Sequence, residues 1–273
     1  FGSGISLFIA AGVSKRVFLR TFNWVTLPGQ SLPSGALPAM FKALSLGLLN
    51  DAFINLSHIL ATVAVFLVVV YTQSMKVEIP LSFGRVRGHG MRWPLNFFYT
   101  SNIPVILVAA LLANVQLLAR ATKLPWLSSL ASRPNLVEAI INNNLSFALL
   151  GQSLLYVLIF VAGSLLFGFF WVQTASLDPR SQARNIMNSG LQIPGFRKDE
   201  RVLERMLARY IWPLTFIGSV AVGLLASLAD LTGALGGGTG ILLTVMIVYQ
   251  LYQQIAQQHV MDMSPMMRKF MGR

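Results

Sequence analysis

Residues 52–75 read AFINLSHILATVAVFLVVVYTQSM, without one Asp, Glu, Lys or Arg. An α-helix rises about 1.5 Å per residue, so about 20 mostly apolar residues cross a hydrocarbon layer of roughly 30 Å. This stretch is long enough to cross, and the pattern recurs around it. Charge-free windows also cover 93–119, 139–177, 210–229 and 231–261. The window 139–177 exceeds one crossing; its start, Ile140-Ile141-Asn142-Asn143-Asn144, is polar enough to lie at the interface before a span at 151–173. The last window opens on Gly236-Gly237-Gly238-Thr239-Gly240, which puts its helix at 241–260. A sixth span, over 1–25, has to be argued, because Lys15 and Arg16 interrupt the apolar run Ile5 to Val13. A charge at mid-bilayer costs on the order of 3 kcal/mol, so this segment is expected to face protein or water. Composition agrees: 55% of the residues are hydrophobic and 11% charged, against about 25% charged in ordinary soluble domains. The expected fold is an all-α membrane protein of six transmembrane helices.

The charges that remain are unevenly placed. With six spans both ends lie on one side, together with the linkers 76–92 and 178–209 and the tail 261–273. Fourteen Lys and Arg fall there, against four, Lys42, Arg120, Lys123 and Arg133, in the opposite linkers. The positive-inside rule makes the first side cytoplasmic. All five tryptophans fall near span ends or in linkers, as an interfacial belt requires. No signal peptide is visible, and the chain opens inside a hydrophobic segment, which reads as a piece of something longer. The absence of cysteine excludes a disulfide framework, a thiolate metal site and a cysteine nucleophile.

Linker 76–92 alternates Val77, Ile79, Leu81 and Phe83 with Lys76, Glu78, Pro80 and Ser82, then reaches Gly84, Gly88 and Gly90. Period 2 followed by glycines predicts a β hairpin with Arg85, Arg87 and His89 at its tip. Such a tip suits a polyanion, and equally an ordinary positive-inside loop against lipid headgroups. In the second linker Arg197, Arg201, Arg205 and Arg209 recur every four residues and form one ridge if helical. Its length suits docking. Gly236 to Gly240 lacks the lysine and Ser/Thr of a phosphate loop, so a tight turn between helices is the expected reading. His58, His89 and His259 have no partner at metal-ligand spacing. No hydrolase motif occurs, nor a chain of intramembrane carboxylates. Neither enzyme, cofactor nor metal is expected. What remains inside the membrane is aliphatic, Ile5 with Ile9, Ile103 with Ile106, and Leu242-Leu243, which by itself is equally read as helix packing.

Five segments in order, Gly2-Ser3-Gly4-Ile5-Ser6-Leu7, Glu78-Ile79-Pro80, Ser101-Asn102-Ile103-Pro104-Val105-Ile106, Gly195-Phe196-Arg197-Lys198 and Gly233 to Gly240, resemble SecY, the channel subunit of the Sec protein translocon, in its archaeal and eukaryotic-like form. The resemblance runs from Phe1 to the C-terminus and corresponds to spans five to ten of a ten-helix fold. It implies a pore ring that includes Ile5, Ile9, Ile106 and Leu243, and a lateral gate near Asn102, Ile103 and Gln152. Asn102 reads equally as a helix N-cap. The same resemblance implies ribosome docking, with ribosomal RNA contacts, through Arg85, Arg87, Arg197 and Lys198. Its expected partners are nascent secretory chains and signal sequences, small SecE/gamma and beta-type membrane subunits, and the surrounding bilayer. The location implied is an archaeal-type plasma membrane, or the endoplasmic reticulum membrane in a eukaryote.

Two other readings compete with a protein-conducting channel. A membrane scaffold would use the basic loops without conduction. A secondary transporter would need polar groups near the membrane centre, which the later spans scarcely offer.

Overall fold

The computed structural model describes residues 4–26, 29, 31–83, 90–100, 103–124, 126, 132–188, 191–192 and 199–263. In chain order the elements are α1 (Gly4–Phe22), α2 (Ala36–Ser45), α3 (Leu49–Ser74), β1 (Lys76–Phe83), β2 (Gly90–Asn96), α4 (Ile103–Thr122), α5 (Leu136–Ile141), α6 (Phe147–Thr174), α7 (Pro179–Asn188), β3 (Leu191–Gln192), α8 (Glu200–Leu231) and α9 (Gly238–Met263). Five of the described helices, α3, α4, α6, α8 and α9, are long and apolar enough to cross a membrane. The remaining long helix, α1, has the 19 residues but carries Lys15, Arg16 and Arg20.

The chain divides into two compact units, residues 1–70 with 234–273, and residues 71–233. In the first, α1 packs on α2 and on α9. The turn entering α9 is built from glycine because Gly236 and Gly237 have φ of 95° and 87°, a region that costs other L-residues about 1–2 kcal/mol. The turn is pinned to α3: Thr62 Oγ1 accepts from the Leu235 amide (2.8 Å) and donates to the His58 carbonyl (2.7 Å). The glycine run is thus an interhelix turn, as its missing lysine suggested. Helix α9 begins at Gly238, about one turn before the expected residue 241.

In the second unit α6 is the middle helix, packed on α4 and α8. Small residues set the distances. A Cβ at Gly168 would overlap Ser219 Oγ, one at Gly223 would lie 2.9 Å from Ser164 Oγ, and one at Gly163 would lie 2.7 Å from Val108 Cγ2. Close backbone approach through small residues substitutes for the hydrophobic drive that lipid removes. Burial grades accordingly: 61% of the most apolar stretch of α8 is buried, against 6% for α3. An apolar helix left that exposed fits contact with lipid or with other helices.

The hairpin forms, but it is longer than expected. β1 and β2 pair antiparallel from Lys76↔Asn96 to Ser82↔Gly90. Residues 93–96 therefore belong to a strand, and the helix expected over 93–119 starts at Ile103. Absence of charge marked the window, but Pro94 stands in it opposite Glu78, and Trp93 opposite Ile79, in a ladder rather than a helical turn. The second basic linker is also more ordered than a loop: α7, β3 and the first turns of α8 occupy most of 178–209, so the span placed at 210–229 is the later part of a helix that starts at Glu200. Asp199 starts that helix by accepting from the Arg201 amide (3.0 Å).

Candidate docking platform and pore-lining helices

The two basic linkers, far apart in sequence, share one core. Leu95 of β2, Val172 at the end of α6, Ala183 and Ile186 of α7, and Leu203, Leu207, Ile211 and Leu214 of α8 form a single buried cluster, flanked by Val77 and Tyr99. Backbone pairing reinforces it, since β3 adds to β1 at Ser82↔Gln192 and Phe83↔Leu191. Tyr99 Oη donates to the Leu177 carbonyl at 2.6 Å. Burial raises the Tyr99 pKa from its ordinary value, and the Asp178 carboxylate adds to the effect, which keeps the hydroxyl neutral and a donor. Asp178 in turn caps α7 by accepting from the Ser181 amide (3.2 Å).

Leu203 and Leu207 point into this core, while Arg201, Arg205 and Arg209 are exposed on α8. Three of the four arginines of the expected ridge therefore lie on one helix. Arg184 pairs with Glu200 at 2.9 Å, an exposed contact of small energetic weight. Arg85, Arg87 and His89, in the connection between β1 and β2, and Arg197 and Lys198, just before α8, lie outside the described residues, as does Asn102.

The expected pore residues divide between the units. Ile5 and Ile9 are on α1 and Leu243 is on α9, in the first unit; Ile106 is on α4, in the second. A Cβ at Gly236 would meet Val17 and one at Gly240 would meet Val13. As α1 runs back from Val17 to Val13, the other segment runs forward from 236 to 240, so the two are antiparallel. The same step of four brings Ile9 to the height of Thr244, beside Leu243. Both Ile9 and Leu243 are half-buried, as side chains at the edge of a helix seam are. Ile106 is half-buried one turn into α4.

The expected gate residues are separated. Val108 lies against Gly163, and Thr100 Cγ2 lies 3.6 Å from where a Cβ of Gly168 would be, so α4 and α6 are also antiparallel. Ile103 is then at the height of the C-terminal half of α6, while Gln152 is near its start. The 1.5 Å rise puts them about 24 Å apart along the axis. Gln152 instead donates through Nε2 to Ser132 Oγ.

One polar pair escaped the sequence reading: Tyr156 Oη donates to Asp230 Oδ2 at 2.8 Å, buried between α6 and α8. Asp230 sits between two charge-free windows, which was the available signal, but its partner lies 74 residues away.

Long apolar helices joined by small residues, with a polar strand-and-helix platform on one group of them, define a multi-pass helical membrane protein. Comparison narrows the class. The SecY family model matches residues 1–252, and the chain belongs to that family. Among similar proteins, the protein translocase subunit SecY of Methanococcus vannielii is 43% identical over all of this chain and 62% of its own length. The corresponding subunit of Methanocaldococcus jannaschii is 39% identical over the same shares. A solved structure described as "The structure of a protein conducting channel" superposes with a TM-score of 0.76 at 39% identity, covering 97% of this chain and 61% of its own. "Sec61 in the Canine ribosome-channel complex from the endoplasmic reticulum" gives 0.71 at 38%, covering 97% and 60%. The chain thus spans about 62% of the length of the curated relatives it matches.

Proposed function

We propose that this chain supplies the fifth to tenth spans of a protein-conducting channel that passes secretory polypeptides across a membrane and releases membrane segments sideways into it. The carrying observation is the family match over residues 1–252, and the shared height of Ile9 and Leu243 on antiparallel helices supports it. Ile5, Ile9, Ile106 and Leu243 are the residues proposed for the lining of its constriction. Aliphatic side chains offer a passing chain no fixed polar partner, so its sequence hardly matters, while a dry ring resists ions. No bond is made or broken, and the chain acts as a conduit rather than an enzyme. Helices α4 and α6, which carry Ile103 and Gln152 and follow Asn102, form one side of the lateral gate for signal sequences.

The platform faces the cytoplasm and docks a ribosome. Arg85, Arg87, Arg197 and Lys198, together with the exposed Arg201, Arg205 and Arg209, meet ribosomal RNA, an anion for which arginine is well suited. The neighbour described as a ribosome-channel complex supports that partner. SecE/gamma and beta-type subunits complete the assembly in a plasma membrane of archaeal type or in the endoplasmic reticulum.

Polar substitution of the ring tests the proposal. In the full-length channel reconstituted into bilayers, Ile9→Asn with Ile106→Asn is expected to raise ion conductance with little change in thermal stability. A variant that is destabilised but stays ion-tight would assign these residues to packing instead.

A further inference from the structure

Three of the four basic residues in the linkers opposite the platform converge. Arg120, Lys123 and Arg133 border one cavity of about 860 Å³, together with Gln116, Leu124 and Ser132. That size falls within the roughly 300–1,000 Å³ of ordinary small-ligand sites. Local structure explains the convergence. Helix α4 ends at Thr122, and Lys123 follows it with φ of 53°, the left-handed position that often terminates helices. Arg120 stands in the last turn, and Arg133 arrives on the segment that leads into α5. All three are exposed, and among the described residues none is ion-paired to a carboxylate. No acidic side chain lines the cavity. Three exposed like charges around one hollow favour an anion between them, although the Arg133 charge also reaches Tyr156, the donor to the buried Asp230.

The surroundings place that anion at a membrane surface. Just before Arg120, Leu117 and Leu118 are 62% and 54% exposed; just after Lys123, Leu124 and Trp126 are 41% and 59% exposed. Exposed leucines on a spanning helix meet lipid tails, and a tryptophan beyond them marks the headgroup level. From this arrangement we infer that the cavity binds the phosphate of an anionic phospholipid, whose acyl chains run along Leu117 and Leu118. The inference does not need conduction; it needs α4 to cross a bilayer with Leu117 and Leu118 turned to lipid rather than to other helices.

A photoreactive residue replacing Leu124 in the full-length protein, held in nanodiscs of equal phosphatidylglycerol and phosphatidylcholine, reads the site directly by mass spectrometry of its lipid adducts. Phosphatidylglycerol adducts should exceed the nanodisc proportion. Lys123→Gln should cut the excess about fivefold, the effect of losing one basic residue at an anionic surface. Joint Arg120→Gln, Lys123→Gln and Arg133→Gln should abolish it, while Lys42→Gln, in another linker, should leave it intact. If the triple variant does not fold, the single exposed Lys123→Gln decides. An adduct ratio equal to the nanodisc composition, or indifferent to Lys123, overturns the inference. Binding of inorganic phosphate by the detergent-purified protein, together with an adduct ratio equal to the nanodisc composition, would make this a site for free phosphate and not for lipid.

Discussion

Leu207→Ala should loosen both basic linkers at once. Leu207 is 1% exposed on α8, one turn from Leu203 and from Ile211, inside the cluster that also holds Leu95, Val172, Ala183 and Ile186. Truncating a buried leucine costs about 2–5 kcal/mol, through lost transfer energy and the cavity left behind. A middle value of about 3 kcal/mol corresponds to roughly a 150-fold change in a local opening equilibrium. The spanning helices have their own contacts, so the loss should appear as local unfolding of the platform rather than collapse of the protein. Amide hydrogen exchange in detergent or nanodiscs would show it. Amides of α7, of β1 near Val77 and of β2 near Leu95 should all lose about the same protection as those of α8 before Ile211, while α6 around Phe160 keeps its protection. Loss confined to α8, with the hairpin unchanged, would refute the claim that one core joins the two linkers.

Other outcomes follow from the same contacts. Gly168→Val drives two methyl groups into Ser219 and should lower the thermal midpoint, at an overpacking cost of about 1–3 kcal/mol; an unchanged midpoint would mean that α6 and α8 are not held this close. Tyr156→Phe removes the donor to Asp230 from a buried site and should cost about 1–2 kcal/mol by reversible unfolding, with no loss if the pair is wet and exchangeable. Thr62→Val deprives the Leu235 amide of its acceptor and should destabilise by about 1–3 kcal/mol, whereas Thr62→Ser retains the hydroxyl and most of the stability.

Much of this fold is readable in sequence because a membrane imposes a simple rule. Charge-free windows located α3, α6 and α9 to within about a turn or two, and alternation between Val77 and Phe83 located β1. The rule failed where absence of charge had another cause. Residues 93–96 are uncharged because they form a strand in the hairpin, and the arginines at 201, 205 and 209 hid the first turns of α8, which continue a spanning helix beyond its apolar part. Contacts between distant segments left no local trace: the joining of Leu95 with Ala183 and Leu203, and the bond from Tyr156 to Asp230, depend on pairings that periodicity does not encode. The expected gate residues show the same gap. Ile103 and Gln152 lie on adjacent helices, yet antiparallel packing puts them near opposite ends.

Ile9, Ile106 and Leu243 are proposed to touch a polypeptide in transit, and site-specific crosslinking reads that contact. A photoreactive residue is placed in turn at each of these positions and at Leu117, which is 62% exposed on the same helix as Ile106, in the full-length channel engaged with a stalled secretory chain. Adducts with the stalled chain are expected at positions 9, 106 and 243, and lipid adducts alone at 117. Capture of the secretory chain at none of the three, or equally at 117, would contradict it.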